Sequence, residues 1–198
     1  MFKSDSLFQA IDKGGKSLKL LNEKIEKQFG ETCAVLVLDS TGFTKTTQSE
    51  GIVFYLSIIS KLRKIGEKIF KKNKAISYRG HADNLYAEFE TVDSAVQAAF
   101  SMHKYFKENP VELNPAKNTF GVCIGIGYGK VLRSEHDGVY GNERNLASKL
   151  GEDKAKKDDT LLTSAAYRSL TNRDAYKINT KRIRVSGVSI PLYDLKEL

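Results

Sequence analysis

A continuous apolar run, Ala34–Leu38, sits inside Thr32–Ser40 (TCAVLVLDS) and stops abruptly on a carboxylate, Asp39. Rich in Val and Leu, and far shorter than the 18 or so residues of a membrane span, it reads as a buried strand. Helical periods flank it. Leu7, Ile11, Leu18, Leu21, Ile25 and Phe29 recur at helical spacing over residues 7–29, interrupted by Gly14-Gly15 and stopped by Gly30. A long helix is predicted over 48–73, ending at Asn73. Ala75–Arg79 and Leu85–Glu90 flank a GHADN turn and read as a β-hairpin. Over Thr91–Asn109 one stripe (Val92, Ala95, Val96, Ala99, Met102, Tyr105, Phe106) predicts a second helix, stopped by Asn109-Pro110. After a loop at Glu112–Asn118 come a glycine-interrupted strand (Thr119–Leu132), a helix (Asn142–Leu150), a strand (Thr160–Thr163), a helix (Ala165–Leu170) and a strand pair (Tyr176–Val185, Ile190–Leu195). The core order is β-α-β-β-α-β, a ferredoxin-like α+β sandwich with extra C-terminal elements. Residues 1–31 are expected as an N-terminal helical segment and 32–198 as one main domain.

The 198 residues are 40% hydrophobic and 10% aromatic, enough for a core without a metal or disulfide staple. The start, MFKSDSLFQAIDKGGK, lacks the apolar stretch of a secretory signal, so a cytoplasmic protein is expected. Cys33 and Cys123 lie in apolar strand-like runs and read as reduced core thiols. His81, His103 and His136 are scattered, without zinc spacing. A net charge of +8 suits nucleic acid, anionic lipid or polyphosphate ligands. The lysines of Lys61–Lys74 (KLRKIGEKIFKKNK) read as the solvated back of an amphipathic helix, with a binding patch as the alternative.

Asp39 closes its strand and is followed at once by Ser-Thr-Gly-Phe-Thr. A carboxylate there can hold a hard cation, and the N–H groups of Thr41–Thr44 can cradle phosphate oxygens; a plain helix N-cap is the alternative. Asp83 lies in the hairpin turn, 44 residues on. The first strand and the hairpin are sheet neighbours in this topology, so two carboxylates can face each other and form a two-metal site; a turn aspartate is the alternative. Gly125-Ile-Gly127-Tyr-Gly129-Lys130 is not a P-loop, because no Ser or Thr follows Gly-Lys, nor a dinucleotide fingerprint, because a strand continues after it.

Taken together, residues 32–195 resemble the catalytic domain of class III nucleotidyl cyclases. Val35–Thr44 (VLVLDSTGFT) is similar to the first metal block and Asp83–Phe89 (DNLYAEF) to the second, continued by Ser94–Met102 as its helix. Gly121–Gly129 (GVCIGIGYG) is similar to the strand that ends in a small-residue turn. Tyr140–Leu150 (YGNERNLASKL) is similar to the block of transition-state residues and Gly187–Leu195 (GVSIPLYDL) to the closing strand. The resemblance implies a nucleoside triphosphate substrate and two Mg²⁺ or Mn²⁺ ions on Asp39 and Asp83, with Ser40 counted in the metal set. It implies phosphate contacts from Gly42, Phe43 and Thr44, a ribose-orienting Asn145, and Arg133 on the terminal phosphates. Lys149 stands where the family has an arginine that stabilises transition-state charge; it keeps the charge without the bidentate fork, so slower turnover or help from another cation follows. The family lysine near the closing hairpin has no clear counterpart, Ser186 being nearest. The family's sites are shared between two chains, which implies a homodimer. Asp39 and Asp83 would come from one chain, Asn145 and Lys149 from the other.

Base choice departs from the family. Arg79 stands where lysine reads adenine or glutamate reads guanine, and Gly138, beside Asp137, stands at the second reader. An arginine fills more of the pocket, which favours a pyrimidine, and its donor-only chemistry suits the O2 and O4 acceptors of uracil. Tyr55 is a candidate aromatic wall to the base, with core packing as the alternative. The implied product is cyclic UMP. The compact form resembles the pyrimidine cyclases of bacterial anti-phage signalling, which implies a downstream cyclic-nucleotide effector. An adenylate or guanylate cyclase and a non-catalytic nucleotide sensor remain alternatives. A basic RNA-binding module lacks support, because no RNP-like aromatic strand is present.

Overall fold

The computed structural model describes residues 5–15, 17–113, 118–185 and 187–198. Along them lie α1 (Ser6–Asp12), α2 (Leu18–Phe29), β1 (Gly30–Ser40), α3 (Phe43–Glu50), α4 (Ile52–Lys72), β2 (Ala75–His81), β3 (Asn84–Phe89) and α5 (Val92–Glu108). Then come β4 (Val122–Ser134), β5 (Gly138–Tyr140), α6 (Asn142–Ser148), β6 (Thr160–Thr163), α7 (Ser164–Ser169), β7 (Tyr176–Val185) and β8 (Val188–Glu197). A π-helical turn, Lys149–Lys154, continues α6. The strands form one eight-stranded sheet in the order β2-β3-β1-β4-β6-β8-β7, with β5 added to β4. Strands β1 to β4 have the expected ferredoxin-like order, each antiparallel to its neighbour. Beyond them β6 joins β4 in parallel, and β8 and β7 close the sheet.

Side chains alternate across a strand. Ala34, Leu36 and Leu38 enter the larger core, built with Tyr55, Leu62 and Phe70 of α4, Val96 and Met102 of α5, and Ala166 of α7. Cys33, Val35 and Val37 face the other way, onto Tyr86, Val131, Val139 and Ala147 of α6. Both faces of β1 are covered, which explains why its sequence is apolar without interruption. Cys33 and Cys123 are free thiols, and burial pushes both up to about 12.

The glycine-interrupted strand turns out to be a packing surface. Gly129, Gly127 and Gly125 pair with Cys33, Val35 and Val37, so all three glycines share one face. Helix α6 lies directly on them. A Cβ at Gly125 would stand 2.0 Å from the Ala147 carbonyl oxygen, and one at Gly127 2.3 Å from that of Glu143. The Glu143 carboxylate pins the helix by accepting from the Tyr128 N–H (3.3 Å) and the Thr163 hydroxyl (2.5 Å).

Several expected boundaries move. The helix over 48–73 is two helices: α3 starts at Phe43, and Gly51, at φ +83° and ψ 162°, separates it from α4. Glycine tolerates that backbone where other residues do not. Phe43–Glu50 (FTKTTQSE) buries only Thr46 and carries no apolar period, so no signal announced α3. The helix over 7–29 likewise divides into α1 and α2. The hairpin is tighter than expected, because His81 pairs with Asn84 and leaves a two-residue turn of Ala82 and Asp83. The helix predicted to Leu150 changes to π geometry after Ser148. The lysines of 61–74 stand exposed behind buried Leu62, Gly66 and Phe70, as an amphipathic helix requires. Among the described residues no helix is long and apolar enough to cross a membrane.

The track predicts a sharp packing penalty. Gly127→Ala forces the Glu143 backbone to move, so it should cost about 1–3 kcal/mol of stability, read as a lower denaturation midpoint with unchanged slope. An unshifted midpoint would show that α6 does not rest on this strand.

Candidate active site

Strand β1 delivers Asp39 to the edge of the sheet where the β2–β3 turn lies, since Leu38 pairs with Leu85, two residues from Asp83. Alternation turns Asp39 to the Val37 side and Ser40 to the core side. The Ser40 hydroxyl sits 2.6 Å from the Tyr55 hydroxyl and donates to Asp83 Oδ2 at 3.1 Å. With Ser40 donating onward, Tyr55 donates to Ser40, and the relay holds Asp83 against the end of β1. Ser40, counted in the metal set, thus commits its hydroxyl to positioning Asp83. Burial, then the charges of Asp83 and Glu152, raises Asp39 to about 6.

Among the described residues no ion pair engages Asp39 or Asp83. Two carboxylates brought together, Asp39 raised by burial and by the charge of Asp83, with no ion pair to either among the described residues, fit a hard divalent ion. Among those residues no three His, Cys, Asp or Glu side chains form a cage for one. An ion here would therefore complete its shell with substrate oxygens or water, as Mg²⁺ commonly does.

Beside the carboxylates, Gly42 caps α3 without a side-chain bond, at φ +87°. The first N–H groups of a helix lack intrahelical partners, so those of Phe43 and Thr44 face outward at its start. The expected cradle over Thr41–Thr44 is shortened, because the Thr41 N–H donates to the Gly121 carbonyl at 3.1 Å. The Thr41 hydroxyl also donates to that carbonyl, at 3.1 Å, and accepts from the Gly121 N–H at 3.0 Å. Tyr55 is corrected as a base wall: its residue is wholly buried in the core, and its ring meets Phe43 edge-on at 5.0 Å.

The two positions expected to read the base, Arg79 and Gly138, meet. A Cβ on Gly138 would lie 1.8 Å from Arg79 Cζ and about as close to both terminal nitrogens. Arg79 Nη1 donates to Glu88 Oε1 at 2.8 Å, its Cζ stands 5.0 Å over the Tyr86 ring, and Nη2 is buried without a protein partner. Arg133 is engaged elsewhere. It donates to Glu31 through Nε (2.9 Å) and Nη2 and to the Ser77 hydroxyl through Nη1 (2.9 Å). Gly30 pairs with Leu132 and Asp39 with Cys123, so Arg133 lies near the far end of β1. That is about 30 Å along the strands from Asp39 in the same chain. In this arrangement Arg133 braces β1 against β2, and a phosphate would have to displace Glu31.

Glu143 and Ala147 of α6 face the sheet. The helical period then turns Asn145 and Lys149, four residues apart, to the outer side, a surface that a second chain can reach. Asn145 is exposed and Lys149 half-buried. Two residues escaped the sequence reading. Glu152, in the π turn, accepts from Asn84 at 3.3 Å and adds its charge to the Asp39 pair. Arg144 stands 5.3 Å over the Tyr86 ring; burial raises the Glu152 carboxyl, and the Arg144 charge offsets part of that rise. No local motif marks either one, because their role comes from α6 crossing the sheet. Ser186, the nearest match to the family lysine, lies outside the described residues.

No family profile and no curated protein matches the sequence. Solved structures match in shape. The adenylyl cyclase CyaB from P. aeruginosa is similar at a TM-score of 0.72 and 19% identity, over 85% of this chain and 95% of that one. The catalytic core of a rhodopsin-guanylyl cyclase with converted specificity, in complex with ATPalphaS, gives 0.72 at 16% identity, over 84% and 96%. The guanylate cyclase domain of RhGC from Catenaria anguillulae, in complex with GTP, gives 0.66 at 16%, over 84% and 97%. The chain has the fold of the class III cyclase homology domain.

The coupling of the carboxylates is measurable without any ligand. In metal-free protein, Asp83→Asn should lower the Asp39 pKa from about 6 by removing a like charge. Burial should still keep it above an ordinary carboxyl. An Asp39 titration by NMR that does not move in the variant would show that the two groups do not face each other.

Proposed function

We propose that this protein is a nucleotidyl cyclase that converts a nucleoside triphosphate, preferentially UTP, to the 3′,5′-cyclic monophosphate and diphosphate in a homodimer. The observation that carries the reading is the meeting of Asp39 and Asp83 at the open end of β1, with no ion pair to either among the described residues. Asp39 and Asp83 would hold two divalent ions, Mn²⁺ or Mg²⁺. Ions bound there would neutralise the triphosphate and favour ionisation of the attacking 3′-hydroxyl. The chain's own groups do the rest. The N–H groups of Phe43 and Thr44, at the start of α3, bind phosphate oxygens. Asn145 of a second chain orients the ribose, and Lys149 places a positive charge near the leaving diphosphate. Arg144, on the same helix, is the further cation available to offset the exchange of arginine for lysine at 149.

The preference for UTP rests on Arg79 and Gly138. The guanidinium occupies the space that a side chain at 138 would take, which narrows the pocket towards a pyrimidine. Every group on a guanidinium donates, and uracil offers acceptors where cytosine turns an amino donor. An unpaired buried donor costs roughly 1–3 kcal/mol, so UTP should be favoured over CTP by about 10–100-fold. The resemblance to anti-phage pyrimidine cyclases extends the reading to cyclic UMP as a second messenger, read by a separate effector protein.

Incubation with each of the four nucleoside triphosphates and Mn²⁺, with products identified by mass, tests this directly. UTP should be converted fastest; faster turnover of ATP or GTP removes the pyrimidine preference and leaves the cyclase reading standing. Tight binding without turnover supports a nucleotide sensor in its place. Asp39→Ala and Asp83→Ala should each lower turnover by more than about tenfold while circular dichroism and oligomeric state hold. Mixing Asp39→Ala with Asn145→Ala should restore activity through one intact composite site per heterodimer. A mixture as inactive as its parents, with subunit exchange confirmed, excludes a shared site.

A further inference from the structure

The face of the sheet opposite the main core carries an unbroken polar chain that the proposed reaction leaves unused. Glu31 at the start of β1 grips Arg133 of β4 through two nitrogens. Arg133 Nη1 donates to the Ser77 hydroxyl of β2 at 2.9 Å. Ser77 donates to Glu88 Oε2 of β3, and Glu88 Oε1 accepts from Arg79 Nη1 at 2.8 Å. The Glu88 side chain is 0% exposed. A carboxylate taken that far from water is costly unless both its oxygens are engaged, and here both are. The chain alternates acceptor and donor, and its charges cancel.

Its orientation matters more than its stability. One nitrogen of Arg79 is tied to Glu88, and the Tyr86 ring lies under the guanidinium at 5.0 Å. Gly138, at φ +84°, leaves the room that the group fills. Tied at one nitrogen and covered on one face by the ring, the planar guanidinium holds the plane of its remaining donors. Nη2, buried and without a protein partner, is what remains to present.

We propose that Glu88, held by Ser77 and Arg133, is a positioning residue that sets the base-reading direction of Arg79. Base choice would then be determined by four strands rather than by one side chain. The inference rests on the pyrimidine reading above and adds to it which residues make arginine selective. Its readout is a ratio, kcat/KM for UTP over that for CTP, which a loss of stability alone leaves unchanged.

In the intact chain, Glu88→Gln should lower this ratio by about tenfold, the low end of the worth of one buried hydrogen bond. Ser77→Ala should lower it in the same direction, and Ser77→Thr, which keeps the hydroxyl, should restore it. Should Glu88→Gln fail to fold, the Ser77 pair carries the test, since it changes one hydroxyl only. A ratio that falls in Arg79→Ala but stays at the wild-type value in folded Glu88→Gln and Ser77→Ala overturns the proposal and leaves the pyrimidine reading intact. A wild-type protein that does not distinguish UTP from CTP overturns the reading itself.

Discussion

The contact between α6 and the glycine track of β4 governs where α6 and the turn after it place Asn145, Lys149 and Glu152. With Gly125 and Gly127 beneath it, α6 brings its carbonyl oxygens to 2.0 and 2.3 Å from where side chains would begin. Nothing larger than hydrogen fits. The axis therefore lies low on the sheet, Ala147 seals the second core cluster, and the helical period turns Asn145 and Lys149 outward. The π turn that follows carries Gly151 over Val37, where a Cβ would stand 2.9 Å from the Val37 carbonyl oxygen. Glu152, next in the chain, thereby reaches Asn84 and the carboxylate pair. Raising this helix by the thickness of a methyl group would shift Asn145, Lys149 and Glu152 together.

The carboxylate pair is the opposite kind of feature, an unfavourable arrangement held by its surroundings. Burial and a like charge keep Asp39 at about 6, yet β1 cannot relax, because both its faces are packed. Tyr55 and Ser40 connect the buried core to Asp83 through a hydroxyl pair. A core aromatic thus acts on the site without touching it. Elsewhere on the same sheet face the charges are compensated, Arg79 on Glu88 level with Val37 and Val35 and Arg133 on Glu31 at the far end. One surface carries an uncompensated acidic pair, suited to a cation, and neutralised ion pairs that leave Arg79 Nη2 without a protein partner.

Where a residue's environment is local, the sequence displayed it. The apolar period of α5 and the unbroken run of β1 announced themselves, because each buries a face along its whole length. Thr160–Thr163 and Tyr176–Val185 were readable to the residue. Helix α3 was not, since a polar, threonine-rich helix that buries one side chain has no period to display. The glycines of β4 were visible as a pattern and excluded as nucleotide loops. Their use, a bed for a helix that begins 13 residues after Gly129, required the tertiary structure.

By itself the sequence determined the ferredoxin-like order of elements and the placing of Asp39 and Asp83 at the ends of adjacent strands. Strand alternation and hairpin closure act between near neighbours, so topology alone brings those carboxylates to one edge. Only the tertiary structure decided who partners whom among the arginines. Arg79 and Gly138 lie on different strands, and their fit depends on a guanidinium filling a missing side chain's volume. Arg133, which motif position assigned to phosphate, is claimed by Glu31 and Ser77 through strand register. Charge can be counted along a chain. The partner that neutralises it is selected by distance and burial, which no spacing encodes.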